Sequence, residues 1–162
     1  MFTRVLSAAL ATTLLATSLP AIAAVMVREV EVSVDLEAIE NAKAAAHWTA
    51  IADDLENAVV SKLMDRTSED GAKISIDIDE VELANSWQSA MNIADSRLSG
   101  RINITHESDN SAFKSYDLTV TFEQAGPFFL PGTDLTTLTT DSKVYYDGMI
   151  AAFADYVVSN LE

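Results

Sequence analysis

The sequence predicts an α+β domain. Its sheet has four antiparallel strands in the chain order β-α-β-β-β-α, with two helices packed on one face. Three observations predict it. Four short stretches alternate apolar and polar residues with a period of two, as half-buried strands do. Two longer stretches repeat apolar residues at three- and four-residue spacing, the mark of an amphipathic helix. Clusters of Gly, Pro, Asp and Ser separate these stretches and supply the turns.

The chain opens on a segment of another kind. Arg4 gives a short positive start, and residues 5–19 are apolar or small. Pro20 breaks the run before Ala21-Ile22-Ala23, a small-x-small cleavage site. This order describes a cleavable export signal over residues 1–23, cut after Ala23 or, as the alternative, Ala24. A retained membrane anchor is the rival reading, but a span needs about 20 strongly apolar residues. Here Ala, Thr, Ser and Pro20 dilute the run. Without cysteine, no lipid can be attached at the cleavage site. The expected location is periplasmic or secreted, with no stable membrane anchor after cleavage.

Residues 24–162 form one domain. Val30, Val32, Val34 and Leu36 alternate with Glu29, Glu31, Ser33 and Asp35 as the first strand. Val25 and Val27 fall in the opposite phase, so its start kinks or is an extension. A helix is expected over 37–66, with Trp48, Ile51, Leu55, Val59 and Leu63 as its apolar stripe. Ser68-Glu69-Asp70-Gly71 makes the turn, with Gly71 free to take positive φ. Ile74, Ile76 and Ile78 define the second strand. Val81 and Leu83 continue it in the other parity, which predicts a bulge near Asp79-Glu80. Residues 85–95 read as a loop holding Trp87. Leu98, Ile102 and Ile104 mark the third strand, and Tyr116, Leu118, Val120 and Phe122 the fourth, joined across a polar hairpin. Gly126-Pro127 and Pro131-Gly132 bracket Phe128-Phe129-Leu130, and a last helix runs from about 142 to 161, capped by Asp141.

Charge narrows the function. One of the 10 basic residues lies in 1–23, leaving nine against 25 acidic residues and a net charge of −16 for the domain. That field repels nucleic acid and anionic lipid headgroups. The absence of cysteine excludes disulfides and thiol chemistry. Asp77 and Asp79 share a strand face about 7 Å apart, near enough for one hydrated cation. No glycine follows to complete a calcium loop, so a solvated strand face is favoured over a metal site. His47 and His106 lack metal-ligand spacing, and no serine sits in a nucleophile elbow. No catalytic residue and no cofactor is assigned. Asn103-Ile104-Thr105 matches a glycosylation acceptor but falls inside a strand.

Phe128, Phe129 and Leu130, with Trp87 in the other long loop, are the candidate partner contacts. Either they seek a partner or lipid, or the segment folds back over the open end of the sheet. On the first reading, replacing Phe128 and Phe129 by Ser abolishes partner capture and leaves folding intact.

The alanine-rich helix, the paired stretches Leu98–Ile104 and Ser115–Thr121, and the terminal helix resemble small bacterial envelope domains. The auxiliary lipoproteins of ABC-type lipid transport systems are the group in view. The chain departs from them in lacking a lipidated cysteine. The resemblance implies a non-enzymatic envelope role and no particular residues. The expected function is therefore an exported interaction or assembly protein with a protein partner in the envelope. A periplasmic small-ligand binder is the alternative, and a hydrolase with an unrecognised site the third.

Overall fold

A computed structural model describes residues 25–34, 48–82, 96–109 and 113–161; the side chains of Glu80 and Glu82 lie outside that description. Its elements are β1 (Val27–Val34), α1 (Ile51–Lys62), β2 (Ala72–Glu82), β3 (Arg97–Thr105) and β4 (Lys114–Thr121). Then come α2 (Phe122–Ala125), a 3-10 turn (Gly126–Phe128) and α3 (Lys143–Ser159).

The α+β class and the four strands are as the periodicities imply, but the sheet is mixed. Its order is β1-β2-β3-β4, with β1 parallel to β2 and the other two pairs antiparallel. The reason lies in the connection. A helix between two neighbouring strands carries the chain back to its starting end, so the second strand must run the same way as the first. The other consecutive neighbours, β2 with β3 and β3 with β4, run in opposite directions.

Both anticipated irregularities are present. The β1–β2 register shifts between Val27 and Glu29, which reconciles Val27 with the opposite phase of Val30. The β2–β3 register shifts between Ile78 and Glu80, and the extra residue turns Val81 inward opposite Leu98.

One face of the sheet is apolar and buried across the strands. Val30, Ile74 and Ile104 align in one row, and Val32, Ile76, Ile102 and Tyr116 in the next. Burying each large aliphatic side chain contributes about 1.5–3 kcal/mol. The opposite face is a polar mosaic. Lys73 pairs with Glu29 and Glu31, Arg101 with Asp117, and Ser33 donates to Asp77. Trp48, Ile51, Leu55, Val59 and Leu63 are all buried, as their stripe predicted.

Local details depart from expectation in three places. Helix α1 ends at Lys62, and Leu63 turns back through its N–H to the Val60 carbonyl; residues 37–47 lie outside the description. Helix α3 is capped by Ser142, not Asp141: the Ser142 hydroxyl accepts from the Tyr145 N–H. Phe122 leaves the fourth strand to start α2, because Thr121 and Gln124 form a reciprocal capping box there.

Gly71 does not use positive φ; among the described residues only Gly132 does, at 88°. Gly71 is required for space, since a Cβ there would lie 2.6 Å from the Val27 carbonyl carbon and 2.7 Å from the Arg28 nitrogen.

Candidate functional site

The segment after β4 is built around one anchor. Phe129 is buried, with its ring 5.4 Å from Phe122 and 6.4 Å from Tyr145. Its edge rests on Gly148 of α3, where any Cβ would overlap the ring. Phe128 is half-buried beneath Lys62, whose Nζ sits 6.0 Å from the ring centroid. Lys62 is held there by Asp155 at 2.7 Å. Leu130, one residue on, is 69% exposed.

The three residues of the predicted contact thus divide. Alternation about an extended backbone at Phe129 (φ −73°, ψ 150°) sends one side chain inward and the next outward. The outward part is fixed by hydrogen bonds. Thr133 donates to the Leu130 carbonyl through both its N–H, at 3.1 Å, and its hydroxyl, at 2.8 Å. Asp134 accepts from the Thr136 N–H at 2.9 Å and hydroxyl at 2.6 Å. Those bonds hold its carboxyl below the usual carboxylate range. Leu135 is 44% exposed, while Leu138 and Thr140 turn into the core. Trp87 and the loop 85–95 lie outside the described residues, as does His47.

A second feature lies between the two long helices. Tyr146 donates its phenol to Asp54 at 2.6 Å, and Lys62 meets Asp155, so α1 and α3 run parallel. The helices leave a shallow groove of about 330 Å³ lined by Asp54, Asn57, Ser61, Lys143, Tyr146 and Asp147, over Ala58, Ile150 and Ala151. Burial, followed by the bond to Asp54, pushes the Tyr146 phenol far above its ordinary range. The small residues Ala58 and Ala151 create the space. Sequence reasoning missed this groove because its polar residues lie on two separate helices, with Asp54 and Tyr146 92 positions apart, and form no motif.

The remaining candidates do not converge. Asp77 and Asp79 are exposed on the polar sheet face, where Asp77 accepts from Ser33 at 3.1 Å. Among the described residues no group of three His, Cys, Asp or Glu side chains is placed to hold a metal ion. His106 lies just past β3, its Nδ1 3.4 Å from the Ser108 N–H. Asn103 is on the polar face, where its carbonyl oxygen accepts from Ser115 at 2.7 Å. No described helix is long and apolar enough to cross a membrane.

Fold and site together define a small α+β fold with a mixed sheet, a polar sheet face and a hydrogen-bonded loop that exposes Leu130. No family model and no curated protein matches the chain. Among solved structures, the PelC dodecamer from Paraburkholderia phytofirmans is similar, with 11% identity and a TM-score of 0.39. The likeness covers 80% of this chain and 84% of that one.

Proposed function

We propose that the chain is an exported, non-enzymatic interaction module of the bacterial envelope that captures a protein partner through the loop around Leu130. The observation that carries this reading is the exposure of Leu130 on a backbone its neighbours hold in place. An exposed leucine between an aromatic anchor and a hydrogen-bonded turn is pre-organised, so little ordering entropy opposes its docking. The export signal over 1–23 and the net charge of −16 support a soluble extracytoplasmic role. The resemblance to small bacterial envelope domains points the same way. The reading takes both long helices as the cover of the apolar sheet face. Contacts of α1 with β1 and of α3 with β3 and β4 support that arrangement.

The test uses Leu130, not Phe129. Phe129→Ser would open the core, so loss of capture in that variant would say nothing about contact. Leu130→Ser with Leu135→Ser should leave the thermal transition within about 0.5 kcal/mol of wild type, as surface changes do. In-cell crosslinking of the tagged chain should yield a near-stoichiometric envelope partner that the double variant loses. An undiminished yield from the variant, or monomer alone from the wild type, defeats the proposal.

A second reading, a small-ligand binder, is favoured by the groove between α1 and α3. Under that reading Tyr146→Phe abolishes ligand-dependent thermal stabilisation while Leu130→Ser does not.

A further inference from the structure

The two edges of the sheet are built differently. At the β1 edge the strand is irregular and heavily charged. Its register shifts between Val27 and Glu29, and Arg28, Glu29 and Glu31 line it. Bulges and charges of this kind are how sheet edges avoid pairing with other chains. At the other edge β4 has no bulge, and its two charges, Lys114 and Asp117, are each bonded within the chain. It pairs with β3 over eight residues without a shift and contains no proline. Its one mid-strand charge, Asp117, is paired across the polar face to Arg101 of β3 at 2.9 Å, both side chains being exposed. Thr119 and Ser115 likewise turn to β3, bonding Ser99 at 2.9 Å and Asn103 at 2.7 Å.

Which backbone groups of β4 face outward follows from the register. The Phe122 N–H donates to the Ser96 carbonyl at 3.1 Å, one step beyond the pair Arg97–Thr121. Hydrogen-bonded pairs alternate along an antiparallel ladder. Val120, Leu118, Tyr116 and Lys114 therefore bond to β3, while Ser115, Asp117, Thr119 and Thr121 aim their backbone groups away from it. Thr121 confirms the parity, since its N–H is taken by the Gln124 side chain at 2.9 Å. Among the described residues, no other backbone group takes up the outward groups of Ser115, Asp117 or Thr119.

We propose that two copies of this chain associate through β4, edge to edge and antiparallel about a two-fold axis, into a continuous eight-stranded sheet. The strand's sequence selects the register. Opposed residues in an antiparallel pair share a face, so apolar Tyr116, Leu118 and Val120 must meet their own kind. Centring the axis on Asp117 sets two carboxylates directly opposite, which is repulsive. Centring it on Leu118 removes that conflict. Leu118 then faces Leu118 of the second copy, Tyr116 faces Val120, and Asp117 faces Thr119. The Asp117–Thr119 pairs supply the outward hydrogen bonds, and the half-buried Leu118 and Tyr116 gain cover. A second copy fits because the strand is complementary to itself in that register. Net charge opposes the association over a distance that salt shortens, so added salt strengthens it.

The absence of cysteine makes the test direct. Opposed residues of a non-hydrogen-bonded pair have Cα atoms about 4.5 Å apart, within the roughly 4.4–6.8 Å that a disulfide spans. The full chain, purified as the exporting cell processes it, should sediment as a dimer that tightens from about 20 mM to 500 mM salt. Leu118→Cys should form a disulfide-linked dimer under mild oxidation, and Asp117→Cys should not. Thr119→Pro removes an outward N–H together with the hydroxyl bond to Ser99. Thr119→Ala, which loses the hydroxyl alone and should still dimerise, is its control. Thr119→Pro should keep the monomer's circular dichroism and weaken dimerisation at least 100-fold. A monomer at every concentration and salt, with no crosslink from Leu118→Cys, overturns the proposal. Crosslinking through Asp117→Cys instead overturns the register.

Discussion

Replacing Gly148 by Ala sets two effects of opposite sign against each other, and the anchor at Phe129 decides which prevails. Gly148 lies inside α3, where alanine is preferred by about 1 kcal/mol. A methyl group at that position would overlap Cε1 and Cδ1 of Phe129. The ring has little room to move away, because Phe122 and Tyr145 pack against it at 5.4 and 6.4 Å. Overpacking of this kind costs about 1–3 kcal/mol, and displacing the ring also forfeits aromatic contacts worth about 0.5–1.5 kcal/mol. The expected net loss for Gly148→Ala is about 1–2 kcal/mol. Phe129→Ala alone should cost about 3 kcal/mol, at the lower end for a buried aromatic because the site is near the surface. In the Phe129→Ala background the obstruction is gone, so adding Gly148→Ala should stabilise by about 0.5–1 kcal/mol. Urea titrations of the four proteins, fitted with a common slope, give the cycle. At roughly 4 °C per kcal/mol the reversal is also visible in thermal melts. If Gly148→Ala stabilises the wild type, or destabilises both backgrounds equally, Phe129 does not occupy the position described. The rigidity ascribed to Leu130 then fails with it.

Two further outcomes follow from buried phenols. The Tyr116 hydroxyl oxygen is buried without a hydrogen-bond partner among the described residues, so Tyr116→Phe should be neutral or stabilise by up to about 1 kcal/mol in urea unfolding. A clear loss would reveal a partner for that hydroxyl. Burial pushes the Tyr145 phenol up to about 12, against about 10 in the unfolded chain. The folded state therefore holds a proton that the unfolded state has released. Stability from this group is complete below about pH 10 and declines as pH rises toward 12. By pH 11 the loss should be about 1 kcal/mol, and Tyr145→Phe should flatten the decline in urea midpoints. Tyr146, shifted in the same direction, adds to the slope that remains.

Much of the architecture was legible because side-chain parity is a local property. A period of two at Ile74, Ile76 and Ile78 can be satisfied only by a strand with one face buried. The change of parity between Ile78 and Val81 requires an inserted residue wherever that strand pairs. The helical stripe from Trp48 to Leu63 is determined in the same way, as all five of its residues are buried. Parity does not specify a strand's neighbour or its direction. The expectation of an antiparallel first pair failed for that reason, since the direction of β1 against β2 depends on where α1 returns the chain.

The candidate contact shows the same division. Composition alone marks Phe128-Phe129-Leu130 as unusual, and the sequence carries the glycines and prolines that break the chain around it. Which of the three faces solvent depends on Gly148, whose missing side chain admits the Phe129 ring from 19 positions away. Likewise the groove between α1 and α3 and the place of β4 at the end of the sheet arise from residues distant in the chain that packing brings together. Local periodicity thus determined the class, the strands and the core. Only tertiary packing decided the mixed sheet, the exposed leucine and the place of β4 at the end of the sheet, because each depends on contacts between segments that carry no record of one another.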